Sequence, residues 1–258
     1  ITLAHDRVEL QSVKSGLPIH REPELVTETM EAVQKGGYAH FMLKEIHEQA
    51  QVAREVLHML AGSPDVAAVV EKMKGARNLY FIGCGTSYHA CLVGAVYFAQ
   101  LAGRAVIPVL APQFMPQYAP TVNDQDVGLF VSQSGETKDV LNALEAAETA
   151  GMTAYGLANV IGSTLTRATV CALPLCCGYE ISVPATKTFT NQVVTFLYLA
   201  YRMAGRDPQE LDQIPALMEQ TITMVAAQVE SIAAEINTWN DLYCLGYGST
   251  YAIALEGA

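Results

Sequence analysis

The sequence is poor in positive charge. Its 258 residues contain 15 Lys and Arg against 26 Asp and Glu, which gives a net charge of -11. This balance argues against nucleic acid as a partner, because phosphate backbones are bound by clustered Lys and Arg. The sequence also has no apolar run long enough to cross a bilayer; VVTFLYLAY at 193–201 is one of the longest. We therefore expect no membrane partner.

Several cofactor and metal motifs are missing as well. None of the six cysteines lies in a C-x-x-C pair, since Cys176 and Cys177 are adjacent, so no zinc or redox site is expected. Gly83 and Gly85 begin a dinucleotide fingerprint, but Tyr88 stands where the third glycine belongs, and no Walker loop occurs. We expect no cofactor. Most cysteines lie in apolar segments and no signal peptide is recognisable, which favours free thiols and a cytoplasmic protein.

One stretch of the sequence occurs twice. LYFIGCGTSYHACLVGA at 79–95 and LYCLGYGSTYAIALEGA at 242–258 align without gaps and share Leu, Tyr, Gly, Gly, Tyr, Leu, Gly and Ala at matching places. Each copy has an apolar strand, a G-x-G turn with two hydroxyl residues, and an apolar helix. This self-similarity predicts an internal repeat whose second unit begins near residue 241.

Short apolar runs alternate with helical patterns along the chain, which predicts an α/β fold: a three-layer α/β/α sandwich with a parallel sheet. Strands are expected at 78–83, 105–110, 126–132, 153–158 and 169–175, and at 241–246 for the second repeat. Helices are expected at 40–60, 65–74, 186–204 and 208–237, the last with a break near Pro215.

The loop SQSGET at 132–137 is the clearest candidate site. It follows an apolar strand, and a ligand of such a sheet binds at the carboxyl ends of the strands. Several hydroxyls and one amide crowd around a positive helix end, which suits a phosphate monoester without a lysine. The alternative is a capping motif, with Ser134 capping a helix that begins near Glu136.

Two further loops fall at the same edge of the predicted sheet. GCGTS at 83–87 fits a ligand turn or an ordinary strand-to-helix turn equally well. In GYEISVPATKTFTNQ at 178–192, Glu180 and Lys187 are weak catalytic candidates, and each is also explained as a solvated surface residue. A lone histidine in an apolar segment, such as His89, is more often packed than catalytic.

Six motifs together carry a family resemblance. CGTSYHA, SQSGET, NVIGSTLTR and EISVPATKTFTNQ, with FMLKEIHEQ upstream and LGYGSTYAIALEGA downstream, are similar in sequence and order to a known family. They resemble the flavodoxin-like sugar isomerase (SIS) region of the glucosamine-6-phosphate synthases, which are glutamine–fructose-6-phosphate aminotransferases (isomerising). The resemblance covers residues 24–258.

The resemblance implies an enzyme that makes glucosamine 6-phosphate from fructose 6-phosphate and glutamine, with an upstream glutaminase domain and a homodimeric assembly. It also implies a phosphate site and a sugar site. The implied phosphate-binding residues are Ser132, Gln133, Ser134 and Thr137. The implied sugar-lining residues are Cys84, Gly85, Thr86, Ser87, Val183 and Ala185.

The same resemblance divides the chain into five expected parts. Residues 1–35 would be the end of a glutaminase domain and a linker, and 36–76 the N-terminal helices of the isomerase region. Residues 77–205 would form the first SIS domain, 206–240 connecting helices, and 241–258 the beginning of a second, truncated SIS domain.

Some positions depart from the family pattern. Ala185 replaces a serine in the family's E-I-G-V-A-S-T-K, Tyr247 replaces the arginine of L-G-R-G, and residues 111–115 differ from A-S-E-F-R. The sequence stops before the family's K-L-K-E, which supplies the base, so we expect this chain to bind a phosphosugar without turnover. Two alternatives stay open: a related SIS sugar-phosphate isomerase or deaminase, and a non-catalytic phosphosugar-sensing module.

Overall fold

The computed structural model describes residues 1–5, 7–21 and 34–258, which fall into two units, 1–34 and 35–258. In the first unit, three short strands form an antiparallel sheet: β1 (Thr2–Leu3), β2 (Val8–Gln11) and β3 (Pro18–Ile19). The central strand β2 pairs with both others. The expected linker at 1–35 falls partly on residues 6 and 22–33, which lie outside the described residues.

Two helices open the second unit, as the helical spacing predicted. Helix α1 spans Phe41–Gly62 and α2 spans Pro64–Gly75. Pro64 occupies the first turn of α2, where its missing N–H costs no hydrogen bond, and this position explains why α1 ends at Gly62. One face of α1, including Ala53, Val56 and Leu60, is buried in the core.

A parallel sheet of five strands forms the centre of the second unit. The strands are β4 (Leu79–Gly83), β5 (Ile107–Leu110), β6 (Val127–Ser132), β7 (Thr153–Ala158) and β8 (Ala172–Pro174), in the order β5-β4-β6-β7-β8. All residues of β4 and β6 are buried, which requires cover on both faces of the sheet. The predicted sheet and its five strands are confirmed.

Helices cover both faces and complete the three layers. They are α3 (Thr86–Ala102), α4 (Ala111–Gln117), α5 (Lys138–Thr149), α6 (Thr164–Ala168), α7 (Lys187–Met203), α8 (Ile214–Ile236) and α9 (Ser249–Gly257). One apolar cluster places Phe81 against Phe98 and Phe196, and a second surrounds Phe130 and Phe114. Because buried side chains form a core on each side of the sheet, the predicted α/β/α sandwich is confirmed.

The break predicted near Pro215 is a change of helix type. A 3-10 helix spans Pro208–Gln213, and α8 follows it directly with Pro215 in its first turn. Among the described residues, no helix is both long enough and apolar enough to cross a membrane.

The strand predicted at 241–246 is wrong, since these residues have no regular secondary structure. A strand needs a neighbour to complete its backbone hydrogen bonds, and none of the described strands pairs with this segment. Leu242, Tyr243 and Leu245 are accordingly exposed, although their pattern is apolar.

The turn and helix of the repeat do form. Gly85 precedes α3 with φ 51° and ψ -129°, and Gly248 precedes α9 with φ 56° and ψ -127°. Both turns have the positive φ that glycine adopts without strain. The two copies therefore share one backbone conformation at the strand-to-helix turn, while only the first copy has its strand in a sheet.

Candidate functional site

The β4–α3 and β6–α5 turns lie side by side at the carboxyl edge of the sheet. Strands β4 and β6 are hydrogen-bonded neighbours, with Leu79 opposite Val127 and Ile82 opposite Phe130. The β8–α7 loop starts from the same edge, with β7 between β6 and β8. This arrangement brings the turns at 83–87 and 132–137 together and leaves the loop at 178–187 farther along the edge.

The β6–α5 turn is held by its own hydroxyl groups. The buried Ser132 Oγ lies 2.8 Å from Thr137 Oγ1 and accepts a hydrogen bond from the Gly135 N–H at 3.0 Å. Ser134 Oγ accepts from the Glu136 N–H at 3.2 Å. Ser134 and Thr137 are half-buried, as is Gln133. Ser132 therefore shapes the turn from inside, while the other three side chains remain partly open to solvent.

A close approach of the backbone to α6 fixes the other side of this turn. Gly135 has φ +65°, and a Cβ atom there would lie 2.0 Å from Ser163 Oγ. Next to it, Glu136 Oε1 accepts a hydrogen bond from the Thr164 N–H at 2.7 Å. That hydrogen bond lowers the pKa of the exposed Glu136 carboxyl. Glycine is thus required at 135 both by its backbone angle and by the space available.

The hydroxyls of the turn do not serve as helix caps. Helix α5 begins at Lys138 with Thr137 as its N-cap, and the Thr137 side chain makes no capping hydrogen bond. The first N–H groups of an α-helix have no partner within the helix. These groups and the positive end of the helix dipole are available to an anion beside Ser134 and Thr137. The capping interpretation of Ser134 is therefore not supported by the hydrogen bonds of α5.

In the β4–α3 turn, the hydroxyl side chains have partners on distant elements. The buried Ser87 Oγ accepts from Gln192 Nε2 on α7 at 3.1 Å. Thr86 Oγ1 donates to Glu256 Oε1 on α9 at 2.8 Å. Gly85 is exposed, and burial raises the pKa of the Cys84 thiol, so that this cysteine is a weak nucleophile.

A carboxylate that the sequence did not reveal also reaches this turn. Glu256 Oε2 lies 2.7 Å from Nδ1 of His89, so one side chain contacts both Thr86 and His89. The sequence pattern predicts that His89 is packed and does not single out Glu256. Only the repeat pattern points toward this region, because it predicts that a second copy of the turn and helix begins near residue 241.

In the β8–α7 loop, Glu180 satisfies the backbone at the start of α7. Its Oε1 atom accepts from the N–H groups of Thr186 at 2.9 Å and Thr188 at 3.2 Å, and its other oxygen accepts from the Thr188 hydroxyl. Val183, expected to line the sugar, is 99% exposed, and Ala185 is half-buried. The carboxylate of Glu180 is thus engaged in a helix-capping arrangement.

Lys187 is buried in a second structural network. Its Nζ donates to Glu48 Oε2 on α1 at 2.8 Å and to the Tyr179 carbonyl at 2.7 Å. The buried Glu45, also on α1, accepts from the Ile181 N–H at 2.6 Å. These contacts fasten the loop to α1. Neither Lys187 nor Glu180 presents a free charged group to the turns at 83–87 and 132–137.

The turns at 83–87 and 132–137 and the loop at 178–187 all lie within a segment that matches a known domain family. Residues 72–202, about half of the chain, match the SIS domain. The chain belongs to the SIS domain family. Across the part of this SIS protein that the structure describes, no three His, Cys, Asp or Glu side chains lie close enough together to hold a metal ion.

Curated relatives extend the similarity beyond the SIS domain itself. The chain is 36% identical over 244 residues to the glutamine–fructose-6-phosphate aminotransferase (isomerising) of Methanothermobacter thermautotrophicus, covering 94% of this chain and 40% of that protein. It is also 36% identical over 263 residues to the protein of that name from Aquifex aeolicus, covering 99% of this chain and 43% of that protein. The chain thus spans about two fifths of the length of these relatives.

A solved structure agrees with the fold. The C-terminal domain of glucosamine-fructose-6-phosphate aminotransferase from Francisella tularensis aligns with a TM-score of 0.74 at 26% identity. The alignment covers 87% of this chain and 67% of that domain. The family resemblance seen in the sequence motifs is confirmed.

Proposed function

We propose that this SIS protein is the phosphosugar-binding isomerase part of a glutamine–fructose-6-phosphate aminotransferase. Its substrate is fructose 6-phosphate, and the complete enzyme forms glucosamine 6-phosphate with glutamine as the nitrogen donor. The observation that carries this proposal is the similarity to isomerising aminotransferases over 94% of the chain. The uncapped start of α5 beside the SQSGET turn supports it, because it is suited to a sugar phosphate.

In this proposal the phosphate lies at the N-terminus of α5. Ser134 and Thr137 donate hydroxyl hydrogen bonds, Gln133 donates from its amide, and Ser132 keeps the turn in shape. The dianion is stabilised by backbone N–H groups and the helix dipole, so no lysine is needed. The sugar lies toward the neighbouring β4–α3 turn, lined by Cys84, Gly85, Thr86 and Ser87, with Val183 and Ala185 from the third loop.

Partners and location form part of the same proposal. We expect a glutaminase domain in the complete protein, which supplies ammonia to the sugar. We also expect a homodimer, which the exposed apolar side chains of Leu217, Met224, Val229 and Ile232 on α8 support. All six cysteines are free thiols, in keeping with work in the cytoplasm.

Titration calorimetry with the 258-residue chain tests the binding proposal. Fructose 6-phosphate should bind, fructose should bind far more weakly, and inorganic phosphate should compete with fructose 6-phosphate. The comparison separates recognition of the phosphate from recognition of the sugar. Absence of saturable fructose 6-phosphate binding by the folded chain would overturn the proposal.

A second candidate is a related SIS isomerase or deaminase that acts on another sugar phosphate. Ala185 and Tyr247 favour it, because they replace a hydroxyl and a guanidinium of the aminotransferase pattern and so change what can bond the sugar. Binding measured for a panel of ketose, aldose and amino-sugar phosphates decides between the two. Tighter binding of another member than of fructose 6-phosphate would favour the second candidate.

A further inference from the structure

Glu256 joins the two copies of the repeat at the candidate sugar site. It lies on α9, in the second copy, and contacts two residues of α3 in the first: Thr86 Oγ1 at 2.8 Å and His89 Nδ1 at 2.7 Å. Thr86 and His89 are three residues apart, so they lie on one face of α3. The side chains of Glu256 and His89 are 19% and 22% exposed, which leaves them mostly shielded from water.

The carboxylate fixes the hydrogen-bonding roles of both partners. An ionised carboxylate only accepts hydrogen bonds, so Thr86 must donate its hydroxyl proton and His89 must carry a proton on Nδ1. The oxygen lone pairs of Thr86 then remain available to accept. In the neutral imidazole the other nitrogen, Nε2, is left as an acceptor. Glu256 thus fixes which atoms of Thr86 and His89 donate hydrogen bonds and which accept them.

The contact between a carboxylate and an imidazole occurs once, although the repeat provides two equivalent pairs of positions for it. In the gapless alignment of the repeat, Val93 of the first copy corresponds to Glu256, and Ala252 of the second copy corresponds to His89. Val93 and Ala252 are both buried apolar residues. Packing between α3 and α9 therefore does not require a carboxylate and an imidazole, since the equivalent positions are filled by Val and Ala.

We propose that Glu256 is a positioning residue of the sugar site, holding Thr86 and His89 as hydrogen-bond acceptors for hydroxyl groups of the substrate. This inference rests on the proposed binding of fructose 6-phosphate. It adds a residue from the second copy of the repeat to a site otherwise built from the first copy and the loops at 132–137 and 178–187. Glu256 acts through Thr86 and His89, and its contribution is to set which atoms of those side chains accept.

The tautomer of His89 in the ligand-free protein tests whether Glu256 fixes the position of the imidazole proton. In a Glu256→Leu variant the acceptor for Nδ1–H is lost, so the neutral imidazole should return to the Nε2–H form that free histidine favours. Nitrogen-15 spectra of the histidine rings should show the Nδ1–H form in the wild-type chain and the Nε2–H form in this variant. A His89→Asn variant identifies the signal by its loss. An unchanged tautomer in Glu256→Leu would overturn the proposal.

Ligand binding tests whether Thr86 and His89 accept hydrogen bonds from the substrate. Glu256→Gln should weaken fructose 6-phosphate binding by about five- to ten-fold, because one acceptor has become a donor, and should leave binding of inorganic phosphate unchanged. Glu235→Gln, which removes an exposed carboxylate on α8, should bind both ligands as the wild type does. Equal affinity of Glu256→Gln and wild type for fructose 6-phosphate would overturn the inference, as would an equal loss for both ligands.

The two proposals fail in different ways. If the wild-type chain binds inorganic phosphate but no fructose 6-phosphate, the proposed function is overturned and this inference with it. If the wild type binds fructose 6-phosphate and Glu256→Gln binds it equally well, the inference alone is overturned. Circular dichroism and thermal melting of each variant verify that the chain is folded.

Discussion

The hydroxyl oxygens of Ser132 and Thr137 lie 2.8 Å apart, at the two ends of the turn between β6 and α5. Ser132 is the last residue of the strand, and Thr137 is the residue before the helix, so this contact closes the turn on itself. The Gly135 N–H completes the arrangement by donating to Ser132 Oγ. The turn therefore has its shape before a ligand arrives, which lowers the ordering cost of binding.

The first prediction concerns Gly135. Replacing it with alanine should destabilise the protein by more than about 2 kcal/mol, because the new Cβ would meet Ser163 Oγ at 2.0 Å. This figure combines the cost of overpacking with the cost of backbone strain. The free energy of unfolding, measured with urea, gives the result. The control is Gly162→Ala, since Gly162 has φ +78° and open space around it. It should cost only the backbone strain, about 1 kcal/mol, and equal losses at the two positions would contradict the prediction.

The second prediction concerns Ser134. Ser134→Ala should weaken phosphate and fructose 6-phosphate binding by about 1–3 kcal/mol, the value of a hydrogen bond to a charged group. The free energy of unfolding should fall by no more than about 1 kcal/mol, because the variant loses the half-buried hydrogen bond from the Glu136 N–H but no cap of α5. Calorimetric titration and urea unfolding of the same variant measure the two effects.

A hydroxyl at the far end of the same helix provides the control for Ser134. The Thr149 side chain donates to the Glu145 carbonyl near the C-terminus of α5, away from the turn. Thr149→Ala should therefore leave phosphate affinity unchanged. Unaltered binding by Ser134→Ala, or an equal loss in both variants, would argue against a phosphate at the start of α5.

The sequence was sufficient to predict the sheet because its strands are buried on both faces. VGLFVS and LYFIG are continuous apolar runs with turn residues after them, and this pattern specifies a central parallel strand from local information alone. The SQSGET turn could be predicted for the same reason, since it directly follows such a strand. The segment 241–246 has the same local pattern, yet its strand requires a neighbour that local sequence cannot guarantee.

The roles of individual charged residues could not be read from the sequence. Glu180 and Lys187 have side chains of types that suit catalysis. In the folded chain, however, Glu180 bonds Thr186 and Thr188, and Lys187 bonds Glu48. These partners are set by the packing of the loop on α1 and α7. Glu256 lies 167 positions from His89. Only the folded chain brings such side chains within hydrogen-bond distance.

The third prediction concerns the ion pair between Lys187 and Glu48. A double-mutant cycle with Lys187→Met and Glu48→Gln should give a coupling energy of about 1–3 kcal/mol, because Lys187 is 4% exposed and its charge needs a partner. Each single variant should lower the free energy of unfolding. Unfolding in urea measures all four proteins of the cycle.

An exposed pair on α2 serves as the matched control. Lys74 and Glu71 lie 2.6 Å apart, with side chains 44% and 71% exposed. Their coupling should be no more than about 0.5 kcal/mol, because water screens the charges. A coupling for Lys187 and Glu48 as small as that of the exposed pair would mean that the buried ammonium does not depend on Glu48.

The last prediction concerns Asp126 and acid stability. Burial by itself would raise the pKa of Asp126. The carboxylate accepts hydrogen bonds from the Arg77 guanidinium at 3.0 and 2.6 Å and from the Asn123 N–H at 3.0 Å. These hydrogen bonds outweigh the effect of burial, so the pKa of Asp126 is lowered. A carboxyl with a lowered pKa in the folded state stabilises the protein above its unfolded pKa of about 3.9. That stabilisation is lost as the pH falls through the pKa that Asp126 has in the folded state.

Asp126→Asn should therefore destabilise the chain at pH 7 by about 1–3 kcal/mol, because the buried carboxylate of Asp126 is a charged acceptor for Arg77 and the Asn123 N–H, and an amide nitrogen cannot accept these hydrogen bonds. The difference from wild type should shrink as the pH falls below about 4, where the wild-type carboxyl itself becomes protonated. Urea unfolding at a series of pH values measures both curves. Asp124→Asn removes an exposed carboxyl two residues away and should follow the wild-type curve throughout. A constant gap between Asp126→Asn and wild type from pH 7 to pH 2 would show that the charge of Asp126 does not contribute to stability.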